Sequence, residues 1–385
     1  MEFKGLKRQY LALRPQILQA LEQVLEQGQY IGGPAVEGIE KQLARQAGVA
    51  HCVSCANGTD ALVLLLKALG VGPGDVVFIP VFTFFATAEA VSLVGATPCF
   101  VDVDFPGGNI NTVALEQALR QEKWKQWGTA KAILAVDLFG WAAEYDIIEP
   151  MANHYGMLLL EDCAQGFGGS CRGRPNGSFG AGAAVSFFPA KPLGCFGDGG
   201  AVLTNNGETA VAVRSLACHG AGKSKYENVR IGQNSRLDAL QAAVLQVKLE
   251  AFPKEQARLR QIARWYTSQL QGLGAALPPC PENAESAWAQ YTMVLSSKSL
   301  RQGLQSCLNS QGIPTMVYYP TPLHLQPAYG FLGGSRGDFP TAELLSNCAL
   351  SLPLHPYMTD GEAETVVEAV KGFLKRAKTC SGTPL

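Results

Sequence analysis

A lone lysine sits between an apolar run and a glycine-dense turn in Ser186-Phe187-Phe188-Pro189-Ala190-Lys191-Pro192-Leu193-Gly194-Cys195-Phe196-Gly197-Asp198-Gly199-Gly200. Lysine avoids full burial unless paired, and a desolvated lysine has a lowered pKa, so its free amine can add to a carbonyl. Upstream, Leu158-Leu159-Leu160-Glu161-Asp162-Cys163-Ala164-Gln165 ends an apolar run in carboxylates. An amine for an aldehyde and an acid for a ring nitrogen are the protein groups that pyridoxal phosphate needs. Lys191 lies 29 residues beyond Asp162, enough for a crossover back into the same sheet. Taken alone, Asp162 reads as a helix cap or half of a salt bridge, and Lys191 as a snorkelling surface residue. Pro189, Pro192 and the four glycines between Gly194 and Gly200 favour instead a rigid turn close to a ligand.

Ala56-Asn57-Gly58-Thr59-Asp60-Ala61-Leu62 places a glycine, a hydroxyl and free backbone N–H groups where a helix begins, a setting that suits a phosphate. An ordinary Thr or Asp N-cap would look the same. Ser186 offers a second hydroxyl to the same anion. Two further patterns carry less. Ala217-Cys218-His219-Gly220-Ala221-Gly222-Lys223-Ser224 imitates a P-loop, but it lacks the first glycine and follows a helical segment, Glu208 to Leu216, rather than a strand. Cys52-Val53-Ser54-Cys55 has zinc or redox spacing with no second pair, and reads as two strand-end core thiols.

The elements that must position these groups alternate. Apolar runs at Val76–Ile79, Cys99–Val103, Ala132–Leu138, Met157–Leu160, Ala183–Phe188 and Ala201–Thr204 predict strands, with helices at Asp60–Leu69, Phe84–Leu93 and Asp146–Tyr155 between them. That order predicts an α/β domain with a mainly parallel sheet buried on both faces. From Arg236 a helical stripe of Leu237, Leu240, Val244 and Val247 begins, which Pro253 is expected to interrupt before a second helix from Glu255 to Leu270. Strands over Trp288–Leu295 and Gly312–Tyr319 and a closing helix over Glu362–Ala377 predict a smaller α+β domain, with a frayed tail over Thr379–Leu385. The expected division is 1–247 and 248–385.

At 385 residues the chain is long for one ordinary domain, and with 47% hydrophobic and 16% charged residues it reads as globular rather than disordered. A formal net charge of -1 provides no whole-protein field for nucleic acid or an anionic membrane. The opening residues lack the apolar core of a secretory signal, so a cytoplasmic location is expected, where the 11 cysteines would stay reduced.

Together these residues resemble the DegT-type sugar-nucleotide aminotransferases, a branch of the fold-type I pyridoxal phosphate enzymes. The resemblance runs from Gly28-Gln29-Tyr30-Ile31-Gly32-Gly33-Pro34 to Pro320-Thr321-Pro322-Leu323-His324-Leu325-Gln326-Pro327-Ala328-Tyr329. It implies a large domain built on a seven-stranded-type sheet. It also implies that Lys191 bonds the cofactor aldehyde, Asp162 pairs with the ring nitrogen, Gln165 contacts the phenolic oxygen and Phe84 stacks on the ring. Gly58, Thr59, Asp60 and Ser186 would hold the phosphate. Gly232-Gln233-Asn234-Ser235-Arg236-Leu237-Asp238 resembles the segment that enters a neighbouring subunit's site, which implies a homodimer with composite sites and Asn234 on the phosphate. Arg236, Tyr318, Tyr319 and His324 would face the sugar. No metal is implied. The closest likeness is to members that aminate C3 of a UDP-linked 3-keto sugar acid, with glutamate as the expected donor, although those relatives read His-Tyr-Pro where this chain has Tyr318-Tyr319-Pro320. A 3-keto or 4-keto-6-deoxy hexose is the alternative acceptor. Lys191 separates the chain from a dehydratase branch that carries histidine there, and the intact cofactor groups separate it from non-catalytic regulatory relatives.

Overall fold

The computed structural model describes residues 1–224 and 226–381. The first part of the chain contributes β1 (His51–Cys55), β2 (Asp75–Pro80), β3 (Thr97–Val101), β4 (Thr129–Val136), β5 (Leu158–Asp162), a small hairpin of β6 (Ser170–Cys171) and β7 (Arg174–Pro175), β8 (Gly182–Ser186) and β9 (Gly200–Thr204). Its helices are α1 (Leu6–Gln27), α2 (Gly33–Ala47), α3 (Gly58–Ala68), α4 (Phe85–Leu93), α5 (Thr112–Gln121), α6 (Tyr145–His154) and α7 (Gly207–Ala217). The expected helices at Asp60, Phe84 and Asp146 are α3, α4 and α6, each within two residues at both ends.

Seven strands make one sheet in the order β1-β9-β8-β5-β4-β2-β3. Neighbours from β8 to β3 run parallel, while β9 runs antiparallel to both β1 and β8. Both faces are buried, as the unbroken apolar runs require. On β2, Val77 and Ile79 enter one core with α3, α4 and α7, while Val76 and Phe78 enter the other with α5 and α6. All the parallel strands therefore end on one edge of the sheet, the edge where open α/β sheets place ligands.

Beyond the sheet come α8 (Ala239–Leu270), β10 (Ala284–Glu285), β11 (Tyr291–Val294), α9 (Lys298–Ser310), α10 (Pro340–Cys348), β12 (Ala349–Leu352) and α11 (Asp360–Ser381). Pro253 does not interrupt the helix, since α8 runs unbroken through it for 32 residues. Its first half packs beneath the sheet through Ala242, Leu245, Leu249 and Phe252. Its second half, with Leu259, Ile262 and Tyr266, anchors a separate core with Trp288, Leu350 and Val366. The helix is held from both sides, and that packing outweighs the one backbone hydrogen bond that proline removes. The division expected at 247 and 248 falls inside this helix.

Two other expectations change. The strand expected over Trp288–Leu295 is β11, which pairs with β12, but Gly312–Tyr319 forms no ladder and makes a single bridge, Met316 with Ser351. The closing helix continues to Ser381, so part of the segment expected to fray is helical, and residues 382–385 lie outside the described residues. The P-loop imitation spans the end of α7 and the loop after it, with no strand before it. Cys52 and Cys55 are buried, unbridged thiols on β1. Among the described residues, no helix is long and apolar enough to cross a membrane.

Candidate active site

The carboxyl ends of β1, β2, β4, β5 and β8 converge on a cavity of about 670 Å³ lined by Gly58, Thr59, Asp60, Phe84, Asp162, Gln165, Ser186, Lys191, Tyr318 and Tyr319. Each of these was singled out in the sequence, and the topology brings all of them together. Asp162 is the last residue of β5, in register with Val136 on one side and Ala184 on the other. Lys191 comes from the loop joining β8 to β9, where its backbone N–H donates to Phe188 O at 2.8 Å and closes a turn.

Asp162 is buried and tightly held. Its Oδ2 accepts from the Thr87 hydroxyl at 2.8 Å, and its Oδ1 from the Ala164 N–H at 3.2 Å. Thr87 is in turn 3.0 Å from Thr83 Oγ1. Burial raises the Asp162 pKa, against the opposing pull of Thr87, Ala164 and the Lys191 charge. Burial lowers the Lys191 pKa, and Asp162 works against it. A carboxylate and an amine thus share one desolvated pocket, each lessening the cost of charge on the other.

Gln165 is fixed at both ends of its amide. Oε1 accepts from Phe139 N at 2.8 Å, and Nε2 donates to the Tyr319 hydroxyl at 3.0 Å. The Tyr319 ring lies 5.9 Å from Phe82 and 6.1 Å from Phe84. Phe84 itself is 54% exposed at the mouth of the cavity, a large apolar face free to cover a planar ligand.

The anion end is built by close backbone approach. Asn57 caps α3, accepting from Asp60 N at 2.8 Å, and the helix starts at Gly58. A Cβ on Gly58 would stand 2.6 Å from Ser186 Cβ, and one on Gly200 only 2.3 Å from the Asn57 carbonyl oxygen. Glycine at both positions lets the helix start lie against the ends of β8 and β9 and leaves its backbone open toward the cavity. Underneath, the Lys248 ammonium donates to the Gly194 carbonyl, and Gln241 Oε1 accepts from Phe196 N at 2.8 Å, so α8 holds the Lys191 loop from below.

Three expected residues lie elsewhere. Asn234 and Arg236 are exposed and line no part of this cavity, whereas Ser235 between them is buried and accepts from Ala56 N at 3.1 Å. His324 is 2% exposed, with Nε2 3.1 Å from Glu343 Oε1, and it lines a second cavity with Trp124, Tyr329 and Phe339. The sequence reasoning also missed residues. Lys4, Thr83, Asp198 and Gln290 line the main cavity without having been assigned a role, and Thr87 holds Asp162. Lys248 was legible as a charge close to the apolar stripe of a helix; Lys4 offered no local signal.

The donor set fits pyridoxal phosphate. It has an amine beside a buried carboxylate, an aromatic cover, and a glycine helix start faced by a hydroxyl.

The sequence pattern of the DegT/DnrJ/EryC1/StrS aminotransferase family matches residues 12–371. A UDP-2-acetamido-2-deoxy-3-oxo-D-glucuronate aminotransferase of Pseudomonas aeruginosa is 41% identical over 96% of this chain and 99% of its own. A pleiotropic regulatory protein of Geobacillus stearothermophilus is 38% identical over 96% of this chain and 97% of its own. The crystal structure of a DegT DnrJ EryC1 StrS aminotransferase from Brucella abortus superposes with a TM-score of 0.93 at 44% identity, covering 97% of this chain and 99% of that one.

Proposed function

The chain belongs to the DegT/DnrJ/EryC1/StrS aminotransferase family, and from that premise we propose that it transfers an amino group from glutamate to C3 of a UDP-linked 3-keto hexuronic acid in the cytoplasm, as a step toward an amino sugar. The enzyme is a pyridoxal phosphate-dependent transaminase. The observation that carries the proposal is the Lys191 and Asp162 pair in one cavity of about 670 Å³, a volume within the usual range for cofactor and substrate sites. The choice of a sugar acid is supported by the 41% identity to the Pseudomonas enzyme.

Bound pyridoxal phosphate would supply an aldehyde that takes up the amino group and an electron-poor ring that takes up electron density from the substrate. Lys191 holds that aldehyde. Its Nζ, when free, would serve as the base that moves the proton, and desolvation disfavours its charged form. Asp162 holds the proton on the ring nitrogen, and Thr87 and Ala164 keep its carboxylate aimed. Phe84 would cover one face of the ring, and Gln165 would reach its phenolic oxygen. The start of α3, from Gly58 to Asp60, with Ser186, holds the phosphate.

Loading the protein as its pyridoxamine form and adding keto sugar nucleotides one at a time tests the acceptor. A UDP-linked 3-keto hexuronic acid is expected to return the cofactor to its aldehyde form fastest, seen in the visible absorption. Faster return with a neutral 4-keto-6-deoxy hexose would replace the sugar acid with that class.

Asn234 and Arg236, exposed beside an inward-facing Ser235, are assigned to the site of a second copy in a homodimer, Asn234 on the phosphate and Arg236 on the substrate. The neighbouring Tyr30, Ile31 and Ile231 are 49%, 47% and 92% exposed, an apolar surface that such a dimer would cover. Mixing inactive Lys191→Ala with inactive Asn234→Ala subunits is expected to restore activity toward about a quarter of wild type, because each hybrid dimer regains one complete site. Proven subunit exchange with no recovered activity would place Asn234 outside the partner's site.

A further inference from the structure

The segment Met1–Gly5 carries Lys4 into the Lys191 cavity, where its Nζ donates to the carbonyl oxygen of Ala289. The segment is tied down just beyond, where Arg8 makes two hydrogen bonds of 2.6 Å to the two carboxylate oxygens of Glu362. That pairing holds the Glu362 carboxyl down to about 2.

Lys4 is an unusual residue for its setting. An ammonium has three donors and a full charge. Lys4 spends one donor on Ala289, and no carboxylate among the described residues pairs with it. Burial and the nearby Lys191 push its pKa down to about 8, which still leaves it largely charged at pH 7. A partly buried cation without a counter-ion costs free energy, and an anionic ligand lessens that cost. Among the described residues of one chain, Lys4 and Lys191 are the two cationic side chains lining the cavity, and Lys191 is committed to the cofactor.

We propose that Lys4 receives a substrate carboxylate in this cavity, an inference that rests on the aminotransferase function proposed for the same site. Two carboxylates could meet it, that of a sugar acid and that of the amino-acid donor. The probes below distinguish the two.

The test is calorimetry on the cofactor-loaded protein and its Lys4→Met and Lys4→Arg variants, with UDP-glucuronate, UDP-glucose and glutarate as probes. Lys4→Met keeps the length and apolar stem that seat the segment, and a charged hydrogen bond sets the scale of the loss. UDP-glucuronate is expected to bind Lys4→Met roughly tenfold or more weakly than wild type, with UDP-glucose unchanged and Lys4→Arg recovering much of the difference. A loss confined to glutarate would assign Lys4 to the donor carboxylate. Equal binding of both carboxylates to wild type and Lys4→Met, an equal loss for UDP-glucose, or no carboxylate binding to wild type would each overturn the proposal. Lys4-dependent carboxylate binding in a protein that converts no keto sugar would leave Lys4 in place and remove the acceptor function instead.

Discussion

Lys191→Ala is expected to bind pyridoxal phosphate through its phosphate and to lose amino-group transfer by about 10⁴-fold or more. The variant removes the group that holds the aldehyde and also the base that moves the proton, and positioned proton transfer alone accounts for about 10²–10⁴. Single-turnover absorbance with excess glutamate measures the rate. Borohydride treatment of wild type should fix the cofactor on one peptide, the one containing Lys191. A label on Lys4, the other lysine of the cavity, would exchange the roles of the two residues.

Asp162→Asn is expected to fold normally and to slow the same half-reaction by about 10²–10³, in the range found when one preorganised electrostatic partner is removed. The fold survives because the carboxamide fits the existing contacts. Its oxygen can accept from Ala164 N, while its NH₂ donates to Thr87 Oγ1, which in turn donates to Thr83. What is lost is the negative charge opposite the ring nitrogen, and with it the preference for a protonated ring. Unfolding by urea separates the two effects. A midpoint close to wild type with a rate within threefold of wild type would remove Asp162 from its role.

The parts of the site that were legible in the sequence are those whose chemistry conflicts with their surroundings. Lys191 and Asp162 are charges at the ends of apolar runs, where a residue is charged only for a reason. Direction was harder to read. An apolar run such as Ala201–Thr204 looks the same whether its strand is parallel or antiparallel, so β9 reversing between β1 and β8 left no trace in composition. His324 lies a few residues from Tyr318 and Tyr319, yet the short helical turn it occupies points its ring toward Glu343 and the second cavity. Lys4 was the least legible of all, since its partner Ala289 is 285 residues away and only the closed fold brings them together. Pro253 shows a local rule overruled, because apolar contacts at both ends of α8 hold the helix through it.

The unbroken α8 also determines where this fold can change length. Its 32 residues span about 48 Å, and every inserted or deleted residue would turn all that follows by about 100°. One such change near Pro253 would swing Leu259, Ile262 and Tyr266 out of the second core while Leu245 and Leu249 stayed in the first. An inserted or deleted residue is therefore expected to be tolerated in the connections, such as the exposed stretch before β10, and not in α8, so the span between the Lys191 loop and the second core behaves as a fixed ruler.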